Sequence, residues 1–169
     1  MGQEDEYNYG DGCGGAHSIV LVDGWEGMRI HADVPQHGAS SADLLQHMLA
    51  CDVAPAYQER WPDIKRMERK TTLCAQRFFV IEDLCVATQV HQWTTRFVVR
   101  PSFVENKYGA KIMTAEGVTL QLIPLDMLMT AQCETVQGHP AKPDAACGIV
   151  DFVHVGSQHH QLTRSEEHT

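Results

Sequence analysis

Ile64–Leu84, with the sequence IKRMERKTTLCAQRFFVIEDL, is the stretch that decides the fold class. Both of its ends carry the β-branched, aromatic and other apolar residues that favour strands. The interruption Ala75-Gln76-Arg77 separates the two ends. The stretch therefore predicts a β-hairpin that joins a strand over Ile64–Cys74 to a second strand over Phe78–Leu84.

More strand patterns lie on both sides of this hairpin. Alternate residues of Val90–Arg100 can face opposite sides of a sheet, and one of those faces consists of Trp93, Thr95, Phe97 and Val99. The other predicted strands are His17–Val22 (closed by the turn pair Asp23-Gly24), Met28–Val34 and Gly148–Val155. Lys111–Thr114 and Val118–Leu125 form a second predicted pair of strands around Glu116-Gly117. About eight strands at this spacing predict a mainly-β fold, an antiparallel β-sandwich that is incomplete at one or both ends.

The remaining segments carry weaker signals. Leu44, Leu45, Met48 and Leu49 recur at helical spacing, so residues 42–50 fit either a short amphipathic helix or a strand that leads into Cys51. Proline and glycine predict irregular structure in the other segments, which are 1–15, 35–41, 54–62 and 130–147.

Length and composition bound the class of protein. A chain of 169 residues with 43% hydrophobic and 21% charged residues fits one globular domain. No apolar run approaches the roughly 20 residues that a membrane span needs, so we expect no membrane partner. The net charge of −9 argues against nucleic acid as a partner. The six cysteines form no zinc-ribbon spacing, and we expect free thiols, although disulfides stay open.

Cations are concentrated in two places on this acidic chain. Lys65, Arg66, Arg69 and Lys70 crowd together, and Arg96 and Arg100 follow on a later strand. A locally positive face that binds anionic sugars is one interpretation, and a solvated strand face is the other. We take Arg66 and Arg96 as candidate substrate-binding residues. Trp25, beside a turn, is the third, because an indole face suits the C–H face of a sugar.

Both ends of the sequence suggest a piece of a longer protein. The peptide Arg164-Ser165-Glu166-Glu167-His168-Thr169 equals the translation of AGATCGGAAGAGCACACG, the start of a common sequencing-library adapter. We therefore expect a loop-like lead-in over 1–15, a sandwich domain over 16–163 and a non-native tail over 164–169. The lead-in before His17 is compatible with an internal methionine as the start.

Several stretches, taken in order, resemble the C-terminal β-sandwich domain of the heparinase II/III-like family of polysaccharide lyases. The family's strand His-Asn-x-Val-x-Val-Asp-Gly corresponds to His17–Gly24, with Ser18 in place of Asn. The further matches, which extend the likeness over roughly residues 16–125, are Asp52 followed by Ala56-Tyr57, the basic strand Arg66–Thr72, the apolar strand Phe78–Asp83 that ends in an acid, and His91–Phe97.

This resemblance implies a two-part enzyme that cleaves uronic-acid-containing polysaccharide by β-elimination. A helical toroid, absent from this sequence, would supply the catalytic residues, so we assign no catalytic residue here. In metal-containing members a histidine at the position of His17 helps to hold a structural zinc, which makes His17 the candidate metal ligand. Tyr57 is more consistent with a packed, hydrogen-bonded tyrosine than with a catalytic one.

Three functional hypotheses follow. The first is a lyase fragment, inactive alone, that binds no zinc tightly and comes from a periplasmic or secreted parent that acts on heparan- or alginate-like polymers. The second is a non-catalytic carbohydrate-binding or scaffold module. The third is a self-contained metal enzyme that draws on histidines such as His154, His159 and His160.

Overall fold

β-Strands dominate the part of the chain that the structure describes. The computed structural model describes residues 19–25, 36–40, 46–75, 78–99, 103–106, 109–113, 119–124, 130–136 and 147–168. Within these ranges it contains one short helix, α1 (Pro55–Gln58), and ten strands, which confirms the mainly-β prediction. The strands are β1 (Val20–Val22), β2 (Gln36–Ser40), β3 (Gln46–Asp52), β4 (Ile64–Cys74), β5 (Phe78–Val99), β6 (Phe103–Asn106), β7 (Gly109–Met113), β8 (Thr119–Pro124), β9 (Thr130–Val136) and β10 (Cys147–His168).

The two longest strands, β5 and β10, pair with each other along most of their length. Each contains 22 residues. Their antiparallel register runs from Gly148 opposite Val99 to Glu166 opposite Phe78. It shifts once, between Gly156 and Gln158, and an irregularity of this kind bends the strands that carry it.

The side chains of Asp83 and Thr95 show how sharply β5 bends. In a straight strand, their separation of 12 residues would place the two Cα atoms about 40 Å apart. Instead, the hydroxyl of Thr95 donates a hydrogen bond of 3.0 Å to Oδ2 of Asp83. β5 therefore folds back on itself between these residues, and its partner β10 must bend with it.

The bend divides one continuous antiparallel sheet into two layers. The first layer contains, in order, β2, β3, β4, the first half of β5, the second half of β10, β8, β7 and β6. The second contains β1, the second half of β5, the first half of β10 and β9. The architecture is the predicted sandwich, built by folding a single sheet over.

Two apolar clusters lie between the layers and contain residues from both. The first joins Val20, Val22 and Trp93 of the second layer to Ile64 and Met67 of the first. The second cluster contains Phe97, Ala110, Leu122, Val150 and Phe152. Complete burial of a side chain such as Ile64 or Phe152 contributes about 1.5–3 kcal/mol, so these contacts hold the layers together.

Local strand patterns predicted several elements correctly. The hairpin of β4 and β5 pairs from Cys74 opposite Phe78, as the sequence indicates. The second predicted pair corresponds to β7 and β8. In β5, Trp93, Thr95 and Phe97 all face the core, as the alternation predicts.

Three segments differ from their predictions, and one that the sequence left open is decided. Residues 36–40, predicted as loop, form β2. Residues 46–52 form a strand, the second of the two alternatives for 42–50, because pairing with β4 satisfies their backbone. The irregular segment 54–62 contains α1, which begins at Pro55. Residues 130–136, predicted as loop, form β9, and among the side chains described there Ala131 and Cys133 pack against the core.

The remaining expectations concern segments outside the described residues, the bounds of the last strand and the state of the cysteines. The lead-in over 1–15, the start of the sandwich at 16 and the strand Met28–Val34 lie outside the described residues. The last strand, predicted over Gly148–Val155, runs to His168 and pairs with β8 over residues 163–168. Cys51, Cys74, Cys85 and Cys133 are free thiols, as expected for these four.

A buried polar chain links the two layers near the middle of the sandwich. The guanidinium of Arg69 donates to both carboxylate oxygens of Asp83, at 2.6 and 2.9 Å. Thr95 donates its single hydroxyl hydrogen to Asp83. Nε2 of His159 lies 3.1 Å from the hydroxyl oxygen of Thr95, so Nε2 must be the donor in that contact. Asp83 is 1% exposed, and these bonds replace the water that its charge would otherwise require.

Replacement of Asp83 by alanine should destabilise the fold strongly. The substitution removes the carboxylate that accepts hydrogen bonds from Arg69 and Thr95, so the guanidinium of Arg69 loses this anionic partner. We expect the free energy of unfolding to fall by about 3 kcal/mol, at the lower end of the range for broken buried pairs because the Arg69 side chain is 22% exposed. Urea denaturation measures the change.

The matched control is Glu68→Ala, which removes a carboxylate from the exposed pair with Arg66. Such pairs contribute at most about 1 kcal/mol, so this variant should unfold close to the wild-type midpoint. Equal losses in the two variants would contradict a special role for the buried pair.

Candidate functional site

A tight turn places Trp25 at the edge of the second layer. Asp23 and Gly24 have φ angles of 51° and 78°, which is the signature of a type I′ turn. Val22 and Trp25 exchange both backbone hydrogen bonds at 2.9 Å. The Asp23-Gly24 turn that the sequence predicts is therefore confirmed.

Asp52 fixes the segment that contains α1 to β4, and Tyr57 fixes it to β1. Oδ1 of Asp52 accepts hydrogen bonds from the backbone N–H groups of Ala54 and Met67, at 2.9 and 3.2 Å. The hydroxyl of Tyr57 donates to the carbonyl of Val20 at 2.5 Å, and its side chain is buried. Tyr57 is thus a packed, hydrogen-bonded tyrosine, as the sequence analysis favours.

Trp25, Tyr57 and Trp61 form an aromatic cluster where this segment meets the turn. The ring centroids of Trp25 lie 5.1 Å from those of Trp61 and 5.8 Å from those of Tyr57, both in edge-on geometry. The guanidinium carbon of Arg60 lies over both indoles, 5.3 Å from Trp25 and 4.9 Å from Trp61. Arg60 is exposed and the two indoles are half-buried, so this cluster reaches the surface.

His91 lies beside this cluster, held between two carboxylates. Its Nδ1 is 2.7 Å from Oδ2 of Asp23, and its Nε2 is 3.1 Å from Oδ2 of Asp63. An ionised carboxylate only accepts hydrogen bonds, so both ring nitrogens must carry a proton to satisfy both contacts. The arrangement is that of a buried imidazolium between two anions.

The pKa values of all three groups follow from this geometry. Burial of the His91 ring opposes its charge, but the hydrogen bonds that it donates to Asp23 and Asp63, together with the charges of these carboxylates, outweigh burial and raise the pKa of His91 above its usual value. Burial would raise the pKa of Asp23 and of Asp63, but the hydrogen bond from His91, a backbone hydrogen bond to each carboxylate and the charge of His91 together outweigh it and lower both pKa values. The three groups therefore stabilise one another in their charged forms.

Contacts between rings continue from His91 into the core. His91 lies edge-on to Trp61 and Trp93, with centroids 6.0 and 5.6 Å away. Trp93 is fully buried and stacks on His159, and its indole N–H donates to the carbonyl of Gly156 at 2.7 Å. This bond ties the bend of β10 to the aromatic rings, and it confirms Trp93 as a core residue.

Four cations of the predicted positive face, Arg66, Arg69, Lys70 and Arg96, have carboxylate partners. Arg66 pairs with Glu68 at 2.9 Å, and Lys70 pairs with Glu82. Arg96 makes a two-pronged contact with Asp151, the residue directly opposite it on β10, at 2.9 and 2.7 Å. A substrate anion would have to compete with these acids.

The structure assigns the predicted site residues to separate groups. Trp25 belongs to the aromatic cluster, Arg66 to an exposed ion pair and Arg96 to the cross-strand pair with Asp151. His17, the candidate metal ligand, lies outside the described residues. The sequence analysis missed Arg60, Asp63 and His91 as a group.

Solved structures identify the fold. The heparan sulfate lyase HepC from Pedobacter heparinus superposes with a TM-score of 0.70 at 11% identity, over 90% of this chain and 24% of that protein. A heparinase III gene product superposes with a TM-score of 0.69 at 11% identity over the same shares, and a further heparinase III with 0.68 at 10% identity over 89% and 23%. The chain has the fold of a part of heparinase III. No protein-family model and no curated protein matches the sequence.

This chain, with its heparinase III-like fold, spans about a quarter of the length of those proteins. The resemblance drawn from sequence order is thereby confirmed for the fold. The residues that carry it have structural roles here: Asp52 and Tyr57 fix the α1 segment, Asp83 binds Arg69, and Trp93 fills the core.

In the described ranges, no three His, Cys, Asp or Glu side chains are grouped to hold a metal ion. His159 faces the core, whereas the neighbouring His160 faces outward and contacts Glu82 at 2.8 Å, so the double histidine does not act as a unit. No helix in the described residues is long and apolar enough to cross a membrane.

His91 should titrate above its ordinary pKa of about 6.5. Because its folded pKa is raised, its contribution to stability is full below about pH 6.5 and is lost as pH rises through the folded pKa. The lowered pKa values of Asp23 and Asp63 give stability that is present above about pH 4 and is lost at lower pH. Proton NMR of the His91 ring and urea midpoints across pH measure both effects.

In Asp63→Asn, the pKa of His91 should move down towards its ordinary value, since one carboxylate is gone. The control Glu68→Gln removes an equal charge from the exposed pair with Arg66 and should leave the His91 titration unchanged. A wild-type His91 that titrates at or below its ordinary value would disprove the bracketed imidazolium.

Proposed function

We propose that this chain is the sandwich part of a polysaccharide lyase that acts on uronic-acid-containing polymers of the heparan or alginate type. The observation that carries the proposal is the coverage: 90% of this chain superposes on only 24% of a heparan sulfate lyase. The remaining three quarters of such an enzyme would include the helical toroid that the sequence analysis expects to be missing.

The proposed chemistry needs groups that the described residues do not offer together. In β-elimination a base removes the weakly acidic proton next to the sugar carboxylate, which must be neutralised at the same time. Tyr57 is 3% exposed and donates to Val20, and His91 is 5% exposed and bracketed by Asp23 and Asp63. Neither is free to act on a polymer, which supports an incomplete active site in this part of the chain.

Lyase assays test this proposal. We expect no unsaturated product, followed by its absorbance, when this chain alone is mixed with heparan sulfate or alginate. A longer protein from the same gene should cleave one of them. Turnover by this chain alone would refute the incomplete site, and a stop codon just before Met1 would overturn the lyase-part proposal.

Zinc is a separate part of the proposal. The described residues contain no group that fits a zinc ion, so no step of the reaction is assigned to a metal here. We propose His17 as one ligand of a structural zinc whose other ligands lie in the longer protein. The longer protein should hold stoichiometric zinc by elemental analysis and lose it in His17→Ala, whereas retention of zinc in that variant would exclude His17.

The second candidate function is a non-catalytic module that binds acidic carbohydrate or supports another domain. The aromatic cluster favours it, because half-buried indoles with an exposed cation occur together at the surface. A glycan-binding module would bind oligosaccharide without any turnover in the longer protein.

A further inference from the structure

We propose that Arg60, held on Trp25 and Trp61, forms a surface subsite that binds the carboxylate or sulfate group of an acidic sugar. This inference deepens the proposed function and rests on it for the class of ligand. It concerns residues that the sequence analysis did not assign, apart from Trp25.

Arg60 differs from the other arginines whose side chains the structure describes. Arg66, Arg69 and Arg96 each pair with a carboxylate, at distances between 2.6 and 2.9 Å. Within the described part of the chain, the guanidinium of Arg60 contacts indole rings and pairs with no carboxylate. On a chain of net charge −9, a guanidinium that no described carboxylate neutralises is available to an anion from outside.

Two acids in the segments that carry the indoles are engaged by other groups. Asp63 accepts from His91 and from the backbone N–H of Gln89. Asp23 accepts from His91 and from the backbone N–H of Gln92. Both carboxylates therefore support the imidazolium of His91, and neither neutralises Arg60.

The support beneath Arg60 is rigid. The backbone N–H of Trp61 donates to the carbonyl of Tyr57 at 2.9 Å, and Tyr57 in turn is bonded to β1. Trp25 is fixed by the tight turn that follows β1. A guanidinium already placed over two fixed indoles loses little further side-chain freedom when it binds an anion, which lowers the entropic cost of recognition.

The geometry also defines the class of ligand. A guanidinium that lies over aromatic rings keeps N–H groups with which to donate, and their fork matches the two oxygens of a carboxylate or sulfate. The half-exposed indoles offer apolar surface to the C–H face of the same sugar. Lys65, exposed at the start of β4, adds a second positive charge, and its ammonium lies 3.3 Å from the carbonyl of Pro62, the residue after Trp61.

Binding of defined oligosaccharides to this chain tests the proposal by calorimetry and tryptophan fluorescence. The probes are an oligo-uronate from alginate, a heparan sulfate oligosaccharide and a neutral cello-oligosaccharide. We expect one or both acidic probes to bind and the neutral one to bind much more weakly. Binding of only the sulfated probe identifies sulfate as the recognised group, and binding of the uronate identifies carboxylate.

The variant Arg60→Gln should weaken binding of the acidic probe roughly tenfold or more, as expected for loss of charge-assisted hydrogen bonds. Arg60→Lys should give an intermediate loss, because it keeps the charge without the planar fork. The control is Lys111→Gln, which removes a cation from β7. This strand lies four strands along the sheet from β4, about 19 Å away, so the control should bind the probe as the wild type does. Equal affinity of Arg60→Gln and wild type would overturn the subsite.

A measurement on the wild-type chain avoids any dependence on folding of the variants. The Nε–H resonance of Arg60 should shift on addition of the acidic probe and not with the neutral one; no shift at saturation would refute the proposal. The lyase assay separates this inference from the proposed function. If the longer protein binds the acidic probe through Arg60 but shows no turnover, the lyase proposal is refuted and the Arg60 subsite stands. If it shows turnover and its binding does not depend on Arg60, the subsite is refuted and the lyase proposal stands.

Discussion

The paired strands β5 and β10 are the constraint on which the rest of the structure depends. Both layers share these two strands, so neither layer can form without them. The bend brings Asp83 and Thr95 of one strand into direct contact and closes the sheet over its own apolar side chains. Because Asp83 also binds Arg69 of β4, a single buried carboxylate links three segments of the sandwich.

The candidate site lies near the point where that bend occurs. Opposite Gly156, at the irregularity in β10, stands His91, which reaches Asp23 after β1 and Asp63 before β4. Two of these segments also carry Trp25 and Trp61. The ion pairs of His91 with Asp23 and Asp63 and the aromatic cluster therefore stabilise each other's positions. A sandwich needs apolar inner faces and a few such links, which is how a fold shared with heparinase III persists at 11% identity.

Charge on this surface is organised by pairing. Most described arginines meet carboxylates across or along strands, and those pairs belong to the framework of the sheet. Arg60 is held instead by indoles, which orient its charge without neutralising it. That difference separates a cation with a structural role from one that can recognise an anionic sugar, and it applies equally to a lyase domain and to a carbohydrate-binding module.

The sequence by itself determined the local elements: the hairpin of β4 and β5, the alternation around Trp93, the Asp23-Gly24 turn and the pair β7–β8. Each is encoded by neighbouring residues whose period or turn chemistry has one low-energy solution. Only the tertiary structure decided that β9 is a strand, that β5 bends back, and that Arg60 meets Trp25 while His91 meets Asp23. These features depend on contacts between residues far apart in sequence, whose energies exist only once the sheet has folded over.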